Sequence, residues 1–276
     1  MEGRDRVAAR FDLPRLADPQ DYAGMDKIAV VTGGSSGIGA AIARALARRG
    51  WRCVLVARRE DLLRGLAEEI GGEYDVCDVG DREAVDHTAA AVLERHPRIG
   101  LLVNNAGIPA RTGFVDGDPE RIELVTRVNY LGGVWCLRAF LPGLLAATPS
   151  DVVNIASAAG TVTAGTSGPY AASKHAQVSF SRAVAAELHP RGVRVHLVMP
   201  GFVETEGFPQ RAVFPRIVHP VIAEPEDVAD AVLKALDRNK RELFVPWYYR
   251  LGAIAQALFP GAVAHSAASG RLRKPA

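Results

Sequence analysis

A β-branched run at residues 27–32 (KIAVVT) opens directly onto Gly33, Gly34, Ser35, Ser36, Gly37, Ile38 and Gly39. An Ala-rich amphipathic stretch follows as far as Arg49 and stops at Gly50. Strand, glycine turn and helix in immediate succession leave few folds open. A run of β-branched side chains without polar alternation suits a strand buried on both faces. Glycines let the turn's backbone approach whatever lies above the strand. The free N–H groups of the helix's first turn then favour negative charge at that point, as a phosphate site requires. The spacing is TGxxxGxG, from Thr32 to Gly39, and differs from the GxGxxG dinucleotide fingerprint.

The same alternation continues along the chain. Apolar or β-branched runs at 52–57, 73–78, 100–103, 151–156, 192–199 and 242–245 read as six further strands. Helical stretches at about 61–70, 81–95, 119–145 and 226–236 lie between them, with another ending near Leu188 before Pro190. Strands that alternate with helices predict an α/β fold: a Rossmann-type, doubly wound, parallel sheet of seven strands with helices on both faces. Residues 1–26 read as a polar, partly ordered leader, 27–245 as one nucleotide-binding catalytic domain, and 246–276 as a C-terminal extension. No internal repeat interrupts this order.

Composition narrows the function. Of 276 residues, 48% are apolar and 23% charged, a globular balance. The net charge of +2 and the scattered arginines argue against a nucleic-acid partner. Three cysteines, Cys53, Cys77 and Cys136, cannot all pair with one another, and a reduced, cytoplasmic setting is expected. No signal-peptide pattern and no uninterrupted apolar span of membrane length is visible.

The chemistry-bearing residues cluster at predicted strand ends, where open α/β sheets bind ligands. Ser157 ends the 151–156 run. Tyr170 and Lys174 are four positions apart, one helical turn along the same face. An ammonium beside a phenol favours the phenolate and is expected to lower the phenol's pKa from about 10, so that it can pass a proton near neutral pH. Arg58 follows the 52–57 strand, where an acid would meet a ribose 2′-OH and a base a 2′-phosphate. NADP(H) is therefore expected, with NAD(H) the alternative. Asp78 could accept from an adenine amino group and Val79 could cover the ring. Asn104 and Asn105, before Ala106 and Gly107, either tie strands together or line a cofactor cleft. Asn129, close to Gly132 and Gly133, suggests a kink or a water site within the 119–145 helix. Alternation puts Arg194 and His196 on one strand face, His196 as a packing residue rather than a catalyst. No metal is expected.

Residues 202–225 carry Pro209, Pro215, Pro220 and Pro225 among Phe202, Phe208 and Phe214, and read as a lid or pocket wall. In the tail, Leu251, Ile254 and Leu258 mark one apolar helical face. Three uses of residues 246–263 stay open: a helix over the cleft, a dimer surface, or a peripheral membrane patch. Arg250 is the one base between 246 and 263, which argues against a strongly charge-driven anchor.

In order and context these motifs resemble the short-chain dehydrogenase/reductase family, in its shorter single-domain branch. The resemblance runs from about 26 to 245. It rests on TGGSSGIG at 32–39, NNAG at 104–107, Asn129, Ser157 with Tyr170 and Lys174, and Pro200–Gly201 leading to Val203 and Thr205. It implies that Tyr170 is the general acid or base and that Ser157 binds the reacting oxygen. It also implies that Lys174 lowers the Tyr170 pKa and holds the nicotinamide ribose, and that Asn129 holds a water joined to Lys174. By the same resemblance Asp78 and Val79 meet adenine, Asn105, Ala106 and Gly107 flank the adenosine ribose, and Val203 and Thr205 orient the carboxamide. A homodimer or homotetramer is implied as well. The expected activity is NADP-dependent interconversion of a carbonyl and a secondary alcohol on a small, apolar substrate. A catalytically silent, cofactor-binding regulator or scaffold of the same fold is the alternative.

Overall fold

The computed structural model describes residues 27–110, 113–115, 117–162 and 168–268, so the 1–26 leader and the last eight residues of the tail lie outside the described part. Seven strands form one parallel sheet in the order β3-β2-β1-β4-β5-β6-β7. They are β1 (Ile28–Thr32), β2 (Arg52–Ala57), β3 (Glu73–Val76), β4 (Leu101–Asn104), β5 (Ser150–Ile155), β6 (Val193–Pro200) and β7 (Glu242–Val245). The order reverses between β1 and β4, which opens a crevice above their carboxyl ends.

The sheet's period of two sorts its side chains between two cores. Ala29 and Val31 of β1 join Leu55, Val103 and Val153 against helices α1 (Gly37–Ala47), α2 (Glu60–Ile70) and α8 (Pro225–Arg238). Val30, Val54, Leu102 and Val152 face the other way, onto α3 (Arg82–Arg95), α4 (Pro119–Thr126), α5 (Gly132–Ala146) and α6 (Gly168–Leu188). Both faces are covered, and the central strands β1 and β4 are apolar runs without polar alternation.

The expected 119–145 helix is interrupted. A π-helical turn at Arg127–Leu131 separates α4 from α5, and Asn129 lies within it. Gly132 follows because a Cβ there would stand 2.9 Å from the Val79 carbonyl oxygen. The third strand stops at Val76, two residues earlier than expected, and beyond it the Asp78 carboxylate accepts from the Gly80 N–H at 2.8 Å. The proline-rich segment after β6 contains a short helix α7 (Gln210–Val213) and a 3₁₀ turn at Arg216–Val221. The tail forms two helices, α9 (Tyr249–Leu258) and α10 (Pro260–Ala268).

Candidate active site

The crevice is a cleft of about 550 Å³. One wall is the glycine turn. Gly33 and Gly37 adopt left-handed φ values of 66° and 53°, which favour glycine. Gly39 lies behind the turn: a Cβ there would come within 2.3 Å of the Gly33 carbonyl oxygen. Ser36 precedes α1 but its side chain does not cap it, and the first turn holds no acid. The helix's leading N–H groups therefore present partial positive charge at the cleft. Ser35, Ser36 and Ile38 line the same wall.

The Asn104–Gly107 segment locks this turn in place. Asn104 ties β4 to β5, donating to Asn154 Oδ1 at 3.0 Å. Asn105 donates to the Thr32 carbonyl at 3.0 Å and to the Gly33 carbonyl at 3.3 Å. Thr32 Oγ1 accepts from the Asn105 and Ala106 N–H groups at 3.0 and 3.1 Å. Both roles left open for the carboxamides are therefore filled, tying strands and lining the cleft beside Ala106 and Gly107.

Arg58, Asp78 and Val79 line the far end, with Arg58 3.6 Å from the Asp78 carboxylate. The sequence reading missed the neighbouring Arg59. Its guanidinium donates to Ser35 Oγ at 3.3 Å, to Ser36 Oγ, and to Glu206 at 2.9 Å. A basic group thus reaches a glycine turn that contains none. The available signal was a second arginine directly after Arg58.

Tyr170 and Lys174 line the opposite end, and the buried Ser157 Oγ donates to the Pro200 carbonyl at 3.4 Å. Ser157 Oγ also accepts from the Ala159 N–H at 3.1 Å, which starts the 3₁₀ turn at Ala158–Gly160. The expected electrostatics are corrected here. Burial pushes the Tyr170 phenol up to about 12, against a smaller lowering by Ser157. Burial also pushes Lys174 down to about 7. Lys174 Nζ donates to the Ile155 carbonyl at 3.1 Å and to Gln177 Oε1 at 2.8 Å, and lies 6.0 Å from the Tyr170 ring centre. The lysine is held by neutral acceptors in a desolvated position, and its charge does not offset the desolvation of the phenol. Gln177, also missed from sequence, is itself buried.

Four expected site residues are set back from the cleft. Gly39 and Ser157 support its walls as described. Asn129 accepts from the Ile108 N–H at 2.8 Å and donates to the Ile108 carbonyl at 3.0 Å and Ser173 Oγ at 3.2 Å, joining the loop after β4 to α6. It sits beside Gly107, where a Cβ would lie 3.4 Å from Asn129 Oδ1 and 3.6 Å from Lys174 Nζ. Val203 is buried and bridges Ala223 within the proline-rich segment, whereas Thr205 faces the cleft near Gly37. Phe208 lines the cleft 5.8 Å from the Tyr170 ring, an aromatic wall that the proline-broken pattern only hinted at.

A short chain dehydrogenase family model matches residues 27–212. An uncharacterized oxidoreductase of Staphylococcus saprophyticus is 35% identical over 221 residues, covering 77% of this chain and 92% of its own. An alcohol dehydrogenase from the archaeon Thermococcus sibiricus, complexed with 5-hydroxy-NADP, superposes with a TM-score of 0.72 at 32% identity, covering 79% of this chain and 95% of that one. A variant of actinorhodin polyketide ketoreductase with NADPH gives 0.73 at 31% identity, covering 84% of this chain and 99% of that one. The protein belongs to the short-chain dehydrogenase family of oxidoreductases.

Proposed function

We propose that the protein interconverts a carbonyl and a secondary alcohol using NADP(H), with Tyr170 moving the proton. One observation carries the reading: Tyr170 and Lys174 share a cleft with an uncapped helix start and two adjacent guanidinium groups. The helix start and the glycine turn suit a pyrophosphate, and Arg58 and Arg59 with Ser35 and Ser36 suit a 2′-phosphate. When bound, the dinucleotide supplies or accepts the hydride.

The remaining steps belong to the chain's own side chains. A phenol raised to about 12 keeps its proton at neutral pH, the state needed to protonate a carbonyl oxygen during reduction. The Ser157 hydroxyl can share the reacting oxygen. Lys174, near 7, can take or release a proton beside Tyr170 as the site turns over. Phe208 supports an apolar substrate, since it offers the reacting end a ring face and no hydrogen bond.

Turnover of Tyr170→Phe against a panel of ketones and aldehydes tests this. Activity is expected to fall by about 10²–10⁴-fold, the range of general acid–base catalysis, with NADPH affinity retained. Unchanged turnover removes Tyr170 from the chemistry. Tight NADPH binding by the native chain with no turnover of any carbonyl favours a silent regulator.

A further inference from the structure

The tail leaves an apolar face uncovered. Helix α9 rests on the protein through its inner side: the Tyr249 hydroxyl accepts from the Phe202 N–H at 3.3 Å, and its ring fills the space beside Gly201. Gly252 faces Val162, in the loop that follows Ser157. The outer side carries Leu251, Ile254 and Leu258, which together with Trp247 and Phe259 are between 45% and 72% exposed. Helices of 10 and 9 residues with no buried residue are marginal in water, so this pair needs a covering surface. Ile217, 89% exposed, stands on the lid turn that Tyr248 ties to α9 through the Val221 carbonyl.

We infer that α9 and α10 dock this face onto the surface of a lipid bilayer, lying in the headgroup boundary beside the mouth of the cleft. The exposed apolar face fits this occupant, and the tail's charge favours it over a second copy. Residues 246–276 contain no Asp or Glu, whereas Arg250, Arg271, Arg273 and Lys274 are basic. A two-fold contact with a second copy would offer Arg250 no acid of the tail to pair with. Acidic lipid headgroups complement it. Trp247 and Tyr248, at the start of α9, are the residue types that settle at membrane interfaces. Spanning is disfavoured: a transmembrane helix needs about 20 residues, and α9 and α10 meet at a bend of 112°. With one base before residue 264, apolar insertion dominates and charge adds to it.

Co-sedimentation of the full, cofactor-free chain with vesicles tests the inference without reference to catalysis. Binding is expected to phosphatidylcholine vesicles and to be about tenfold tighter when phosphatidylserine is included. A Leu251→Glu/Leu258→Glu double variant should bind at least tenfold less while keeping its thermal midpoint, because both positions are exposed. Vesicles should shift tryptophan emission to the blue in the native chain and leave Trp247→Phe unshifted. Native protein that stays in the supernatant with both vesicle types overturns the inference. So does a double variant that sediments like the native chain, or one that instead converts a native dimer to a monomer with no vesicle binding in either form.

Discussion

Lys174 donates to Gln177 Oε1 at 2.8 Å, three positions along the same helix, and the pair is buried. The lysine that stands one turn from Tyr170 is thus engaged on its other side. The consequence for pH is direct. Lys174 titrates near 7 when folded and near 10.5 when unfolded. Below 7 the amine is charged in both states. Between 7 and 10.5 the unfolded chain holds a proton that the folded chain has lost, so stability rises with pH, by up to about 1.4 kcal/mol per pH unit. Tyr170, raised from 10 to about 12, acts with the opposite sign above pH 10. Urea unfolding of the cofactor-free chain at pH 7, 8 and 9 should show a shallower rise for Lys174→Met than for the native protein. Gln177→Leu removes the acceptor that favours the charged amine, so the rise should begin at lower pH. Parallel slopes in all three proteins would contradict this account.

Arg59 and Arg58 should divide the cofactor preference between them. Arg59 holds Ser35 and Ser36 at the glycine turn, while Arg58 lies across from Asp78. Arg59→Ala should lower the ratio of NADPH to NADH affinity about tenfold, or about 1.4 kcal/mol, with NADH affinity little changed. Arg58→Asp adds a negative charge beside Asp78 and should lower the ratio further. Fluorescence titration of both cofactors reads the ratio; an unaltered preference in both variants would remove the 2′-phosphate from this end of the cleft.

Gly39→Ala and Gly65→Ala should move in opposite directions. A Cβ at Gly39 would lie 2.3 Å from the Gly33 oxygen and 2.5 Å from Asn105 Nδ2, and the backbone atom cannot yield. Overpacking of this kind costs about 1–3 kcal/mol, and displacing the turn should weaken NADPH binding at least tenfold. At Gly65, inside α2, nothing lies within 4 Å of the added carbon. That change should stabilise by about 0.5–1 kcal/mol through helix propensity. Thermal midpoints with NADPH titration separate the two.

What could be read from residues alone follows a physical line. The central strands announce themselves because buried parallel strands are near-continuous apolar runs, and the glycine turn because close approach demands its composition. The positions of Tyr170 and Lys174 follow from a helical spacing of four. Their electrostatics did not, because spacing says nothing about water: burial, set by distant parts of the chain, overrides the neighbouring charge. Arg59 was missed because its partners, Ser35 and Glu206, come from segments far apart in sequence. The tail's 251, 254, 258 periodicity identifies an apolar face, but only the packing of Tyr249 shows that this face turns outward.

The Asp151 cluster supplies the last prediction, at the opposite end of the strands from the cleft. Asp151, near the start of β5, lies in register with Arg194 of β6, and both are buried. Arg194 donates to the carboxylate at 2.7 and 2.8 Å, and His196, two residues on and on the same face, contacts it at 2.8 Å. The other His196 ring nitrogen lies 2.8 Å from the Lys240 carbonyl, so the cluster also fixes the turn before β7. Burial pushes the Asp151 carboxyl up, with His196 opposing. Breaking such a buried group on one side leaves charge uncompensated and costs about 3–5 kcal/mol, whereas replacing the whole set with apolar residues is often close to neutral. Asp151→Leu should therefore lose most of that stability in urea, and the triple variant Asp151→Leu/Arg194→Met/His196→Leu should recover at least half of the loss. NADPH affinity per folded molecule should stay native in both, because no member of the cluster reaches the cleft. A triple variant as unstable as the single one would mean that the cluster stabilises the sheet by more than the removal of mismatched charge.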